Sequence, residues 1–347
     1  MGILPYGKDR RDRVRQDILT REYYSDNDRY ADLINGLGCD GEQVVRKEDL
    51  EELDTRTGIG MTTIRRFLRG NLVLGRSRRR KLRGKMRDLI RKAAFGVNFA
   101  VVGVENQETI DYMLPLRSMV YEAGEYERQA AKIQREVRAN PSALTPGEYL
   151  YGFAKSSRLH PSVTFVLYYG KEEWDGAKDL HGILDFTDIP KSLQKLVQNF
   201  QIHVIEVRKL KDTSMFRTDI RQVFDLIRLS ESKEELRDLV KNDPAYQQME
   251  EDAYDLAAFY TKTEGLIEKK SYYMEGDKVN MCGAIEGLME DARVQGRAEG
   301  HAEGRAEGAH QLLALISAMN ADGKAGDIPR LSEDPEFYQA MLKKYFL

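Results

Sequence analysis

The chain has 347 residues, 41% of them hydrophobic, with 54 Lys and Arg against 57 Asp and Glu for a formal net charge of −3. That is enough for a sizeable core in one large domain or two to three ordinary ones, as expected of a soluble globular chain. No run of eighteen apolar residues exists, the opening MGILPYGKDRRDRVRQ turns charged too early for a secretory segment, and Cys39, Cys282 and five histidines form no ligand-spaced set, so a membrane span, a disulfide framework and a zinc site are not expected and a cytoplasmic location is.

In chain order, residues 9–22 read as a polar helix that becomes amphipathic. Asn27 to Leu37 reads as a second helix, with Tyr30, Leu33, Ile34 and Leu37 at core spacing. Asp28 and Asp32 share one face of it, either as solvated acids or as a further carboxylate for a metal site. Gly38 to Gly41 ends the helix, and Gln43 to Asp54 is expected to be extended or a first strand. Met61 to Arg69 is expected to form a short basic helix. From Thr62 to Lys92 there are thirteen Lys or Arg against the single acid Asp88, a local charge of +12 inside an otherwise acidic chain. Such a block suits a phosphate backbone, with Arg76, Arg78, Arg79, Arg80, Lys81, Arg83, Lys85 and Arg87 as its contacts; the plainer alternative is a solvated basic segment.

The block runs into RDLIRKAAFGVNFAVVGVENQ, Arg87 to Gln107, which reads as two strands joined at Phe95-Gly96. With those two as the turn, Ala94 faces Val97, Asp88 faces Gly103, and Glu105 lies one diagonal step further on the same face as Gln107. Diagonal neighbours are roughly 7 to 8 Å apart, within the span of two carboxylates on one cation. A turn one residue longer would put Asp88 and Glu105 on opposite faces. Two carboxylates so placed suit a hard cation, Mg²⁺ or Mn²⁺, with the Asn106 carbonyl as a third ligand.

A long helix from about Ile110 to Val137, broken or begun at Pro115, carries Arg117 and Gln129, which can reach a phosphate or serve as packing polar groups. A loop through Asn140-Pro141 and Pro146-Gly147 leads to a buried strand, Ser162 to Tyr169, and then to Trp174, which lines a groove or anchors its loop. A strand at Ile202 to Val207 and a helix at Phe216 to Leu229 complete an α/β pattern. Acidic helices are expected from Ser232 to Lys270, and a linker at Glu275-Gly276-Asp277. The tail repeats GRAE, GHAE, GRAE from Gly296 to Glu307. Glycine at every fourth residue disfavours a lone helix, so the repeat is expected either to self-associate into a homo-oligomer or to act as a flexible linker.

These residues resemble the recombination-promoting nuclease (Rpn) family, the YhgA-like transposases of the PD-(D/E)XK nuclease superfamily. The resemblance runs from about Tyr23 to Lys270 through EELD, RDLIRKAAFGVNFAVVGVENQ, YERQ, RLHPSVTFVLYYGKEEW, LDFTDIP and RQVFDLI, and the tail is similar too. It implies a restriction-endonuclease-like core, a mixed sheet flanked by helices, over residues 1–230, with a helical extension over 231–274 and a helical tail over 275–347. It further implies Mg²⁺-dependent hydrolysis of DNA, with Asp88 and Glu105 as the motif's acids and Gln107 in the place of its lysine. A glutamine orients by hydrogen bonds but brings no charge; Arg117 is the candidate for the missing cation. The competing expectations are a non-catalytic DNA-binding protein on the same scaffold, and an oligomeric interaction protein.

Overall fold

The computed structural model describes residues 15, 18–52, 89–95, 98–139 and 144–346, and of residues 52, 89–95, 98–103 and 105 the backbone alone. It is a mixed α/β molecule in two compact units, Met1–Cys282 and Gly283–Leu347.

In the first unit a helical turn at 18–23 precedes helix α1, Asn27–Gly38. Asp26 caps α1 by accepting from the backbone N–H groups of Asp28 and Arg29, at 2.6 and 3.3 Å. Tyr30, Leu33 and Ile34 are buried at the expected spacing. The chain leaves α1 through Asp40 and Gly41 in the left-handed region, and Asn35 fixes this exit by taking the N–H groups of Val44 and Val45 and donating to the Val45 carbonyl. The extended reading of Gln43 to Asp54 holds only in part: a 3₁₀ turn at Lys47–Asp49 leads into a three-residue strand β1, Leu50–Glu52. The basic helix expected at Met61 to Arg69 falls outside the described residues.

Strands β2, Leu89–Phe95, and β3, Asn98–Gln107, follow, then helix α2, Leu114–Ala139, with Pro115 in its first turn where its missing N–H does no harm. The loop expected around Pro146-Gly147 is instead a short helix α3, Pro146–Tyr151. Thr145 and Glu148 form a reciprocal capping box there, which explains why Pro-Gly starts rather than breaks it. Strands β4, Ser162–Tyr168, and β5, His203–Glu206, complete a five-stranded sheet of order β1-β2-β3-β4-β5, antiparallel through β3 and parallel beyond it.

One face of the sheet carries Val104, Phe165 and Tyr169 toward α1 and toward two later helices, α4, Ile220–Arg228, and, beyond α5, Lys233–Asn242, the helix α6, Glu251–Thr261. Tyr169 stacks on Tyr260 of α6 with centroids 3.8 Å apart and meets Phe224 of α4 edge-on. The other face carries Thr164, Val166 and Tyr168 toward α2, where Leu114, Trp174 and Ile202 close a buried cluster. Two arginines gather the ends of α4 and α6. Arg208 donates to the Tyr169, Ile227 and Tyr260 carbonyls and to the Ser230 hydroxyl, at 2.7 to 3.1 Å. Arg29 holds Asp219, just before α4, at 2.7 Å and Asp252, in the first turn of α6, while lying 4.1 Å over the Tyr23 ring.

Helix α7, Glu264–Lys269, precedes strands β7, Met274–Glu275, and β8, Lys278–Val279, which pair with each other and, through β8, with β6, Met249–Glu250. The expected linker at Glu275-Gly276-Asp277 is therefore a hairpin turn, with Gly276 at φ +70° where a side chain would be strained. Residues 231–274 belong to the first unit.

Helix α8, Met281–Ala321, carries the tail repeat as continuous helix, so among the two tail readings the flexible linker is not observed. Leu315 and Met319 pack with Leu331 and against helix α9, Pro335–Phe346. Among the described residues no helix is long and apolar enough to cross a membrane.

Arg208→Met should lower the unfolding free energy by about 3 kcal/mol, because it removes one charged donor from three buried carbonyls and a hydroxyl. Urea midpoints of the two proteins measure this, and an unchanged midpoint would contradict the role given to Arg208.

Candidate active site

The geometry of the expected site is set by strand register. Leu89 pairs with Val104, Ile90 with Gly103 and Phe95 with Asn98. Ala94 thus pairs with Phe99 rather than Val97, a register shift of two residues. The shift is even, so it preserves which residues share a face. Asp88 and the basic residues Arg76, Arg78, Arg79, Arg80, Lys81, Arg83, Lys85 and Arg87 lie outside the described residues. On β3, Glu105 pairs with Val166 and Gln107 with Tyr168. Both therefore occupy the face of the sheet that α2 covers, near the end of the strand.

Asn106 occupies the opposite face. Its amide oxygen accepts from the Tyr169 hydroxyl at 3.3 Å, which in turn is 3.0 Å from the Tyr24 hydroxyl. Burial pushes both phenols far above their ordinary value, so they act as neutral hydrogen-bonding groups. The Asn106 side chain thus ties β3 to the helical face.

Three further candidates have firm structural partners. Asp32 is 3% exposed and accepts from the N–H groups of Arg217 and Thr218 and from the Thr218 hydroxyl, at 2.7 to 3.0 Å. It holds the turn before α4, which is why that helix begins at Ile220 rather than Phe216. Gln129 is buried on α2 and clamps the chain before β4: it accepts from the His160 N–H at 2.8 Å and donates to the His160 carbonyl at 3.3 Å. Arg117, in the first turns of α2, forms an ion pair with Asp111 and donates to the Tyr121 hydroxyl at 3.1 Å. It stands close after the end of β3 in sequence.

Sequence reasoning missed Glu206, the last residue of β5. The ladder runs Gln107, Tyr168, Glu206 across three strands, so this carboxylate shares the face of Gln107. Burial pushes its carboxyl up, but the Trp174 N–H at 3.1 Å with Lys209 and Lys178 outweighs this and leaves it below its ordinary value. The contact also decides between the two readings of Trp174, which anchors its own loop: its indole N–H donates to the Gly176 carbonyl at 2.8 Å. An acid closing a short β-branched strand was the only signal in the sequence. Among the described residues no three His, Cys, Asp or Glu side chains come together as a metal site. No protein-family model, curated protein or solved structure matches the chain.

Asp32→Ala and Gln129→Ala should each lower stability, by about 3 and about 2 kcal/mol, through the buried groups they leave unpaired. Neither should change divalent-ion or DNA affinity at temperatures where the variant is folded. Denaturant titration beside a binding isotherm separates the two effects, and a loss of affinity without a loss of stability would restore these residues to the site.

Proposed function

We propose that the chain is a cytoplasmic, divalent-cation-dependent DNA endonuclease of the recombination-promoting nuclease type, built on a restriction-endonuclease-like core. The observation that carries this reading is the ladder, which sets Glu105 and Gln107 on one face near the end of β3 in a sheet whose hairpin gives way, through α2, to a parallel strand. The reading requires Asp88 to continue β2 by one residue, where the same ladder would set it opposite Glu105. The oxygen donors of Asp88, Glu105 and the Asn106 carbonyl fit a hard cation such as Mg²⁺ or Mn²⁺. When bound, the cation would supply Lewis-acid polarisation of a phosphodiester.

The protein's own groups supply the rest. Gln107 orients water through its amide, and the segment Arg76 to Arg87 holds the DNA backbone by charge. Arg117 is the cation nearest in sequence to the end of β3, and it is paired with Asp111. With glutamine where the resembling family has lysine, a low turnover is expected.

A second reading, self-association through the tail, is favoured by one observation: nothing lies within 4 Å of where a Cβ would be added at Gly296, Gly300, Gly304 or Gly308, on a continuous helix. At about 100° per residue, the glycine stripe is flanked by Glu299, Glu303 and Glu307 on one side and by Arg297, His301 and Arg305 on the other. Two copies facing each other in parallel would set the acids of one against the bases of the other, whereas an antiparallel pair would set like against like.

Full-length protein should nick supercoiled DNA with Mg²⁺ or Mn²⁺, and Glu105→Ala and Asp88→Ala should each reduce this at least 100-fold with the fold intact. Cleavage that survives both substitutions would rule out the assignment; binding without cleavage under any divalent ion would leave a DNA-binding scaffold. For the tail, light scattering should give the mass of two chains, and Arg297→Glu with Arg305→Glu should return it to that of one.

A further inference from the structure

Between Trp174 and β5 the chain makes an excursion that adds nothing to the core. Its ends are tied just before β5, the edge strand of the sheet. Asp179 bridges Gln201, the Leu180 N–H donates to the Phe200 carbonyl at 2.9 Å, and the Ile202 N–H donates to the Lys178 carbonyl at 2.9 Å. Further in, polar bonds fold the outgoing arm onto the returning one. The Asn199 amide oxygen accepts from the His181 N–H at 3.0 Å, the His181 ring meets the Val197 carbonyl at 3.0 Å, and Gln194 donates to the Ile189 carbonyl at 2.8 Å.

From Gly182 to Asn199 not one residue is buried. Ile183, Leu184, Ile189, Leu193, Leu196 and Val197 are all exposed, Leu196 at 71%. Fixing a segment costs conformational entropy that burial ordinarily offsets, and adjoining exposed apolar side chains mark an interaction surface.

Charge identifies the occupant. Asp185 and Asp188 lie in the first half of the segment and Lys191 and Lys195 in the second, so the whole is neutral. Nearby Lys171, Lys178 and Lys209 each pair with an acid of the chain, whereas among the described residues none of these four makes an ion pair. A neutral apolar face does not suit a phosphate backbone. A two-fold contact between identical chains needs a surface complementary to itself. Here the acid half of one copy would meet the lysine half of the other, with the apolar side chains closing against their own kind.

We propose that residues 180–200 form a self-association surface, occupied by the same face of a second copy of this chain. It depends on neither the nuclease reading nor the tail. A segment of this length falls short of the roughly 20–30 residues a side of a standard interface, so the pairing is weak and grows with concentration.

The test uses the full chain carrying Arg297→Glu and Arg305→Glu, which takes the tail pairing away, and follows mass by sedimentation across a dilution series. This protein is a single chain when dilute, and its mass should rise toward two as concentration increases. Asp185→Lys with Asp188→Lys should weaken the association about 100-fold, and so should Lys191→Glu with Lys195→Glu. An equimolar mixture of those two variants should restore it, because opposite charges then face each other throughout. Leu193→Ser with Leu196→Ser should weaken it at least about 10-fold at an unchanged thermal midpoint, since both side chains are exposed in the single chain. A mass that stays at one chain overturns the proposal, as does an association that neither charge reversal weakens or that mixing fails to restore. A lowered midpoint in the leucine variant would show that the chain itself covers this face, and would overturn it too.

Discussion

The first unit depends on two parallel helices whose ends are matched by charge. α4 and α6 both begin near Arg29 and both finish near Arg208, so their macrodipoles lie side by side in the same sense, an arrangement that is repulsive by itself. Acids at the starts and a guanidinium at the finishes offset that repulsion. Asp219 and Asp252 meet the positive ends, and Arg29 bridges them. Arg208 satisfies carbonyls that the last turns leave without helical partners. Because Arg208 also takes the Tyr169 carbonyl, the same group fixes the end of β4. Burial pulls this guanidinium below its ordinary value, but an arginine remains charged throughout the accessible pH range.

That arrangement shapes the candidate site at one remove. Tyr169 N–H donates to the Gln107 carbonyl at 2.8 Å, and Gly170 follows where a Cβ would come within 2.6 Å of the Glu108 carbonyl. The ends of β3 and β4 are therefore pressed together, and an error at the helix ends would reach Gln107 through two covalent neighbours. The sheet's two faces divide the work. The face of Asn106 is a tyrosine-rich layer that binds helices, while the opposite face meets α2 through Leu114 in the apolar cluster with Val166 and Tyr168 and through the hydrogen bond from Thr164 to Glu122.

Much of this was legible in the sequence because local chemistry and burial agreed. Asn27 to Leu37 differs from α1 by one residue, since Asp26 and the glycines mark its ends. Ser162 to Tyr169 reads as buried because its apolar run is continuous. The hairpin was legible in parity but not in register, because alternating small and β-branched residues fit two pairings that differ by an even step. Pro146-Gly147 opens a helix because Thr145 and Glu148 cap it, and the turn at Glu275-Gly276-Asp277 is flanked by two-residue strands that carry no periodicity. The partners of Asp32 and Gln129 lie 185 and 31 residues away, and nothing local announces them. Glu206 matters only through its ladder position, which exists only once the sheet is assembled.

Trp174 is the chain's single tryptophan. It is 5% exposed, meets Tyr168 edge-on at 5.2 Å and has its backbone N–H on Glu206. Tyr168 is the ladder partner of Gln107. One intrinsic fluorophore thus sits beside the strand ends that carry the candidate residues, with no second indole to blur its emission. The protein carries its own optical reporter of the state of that corner, readable without a label.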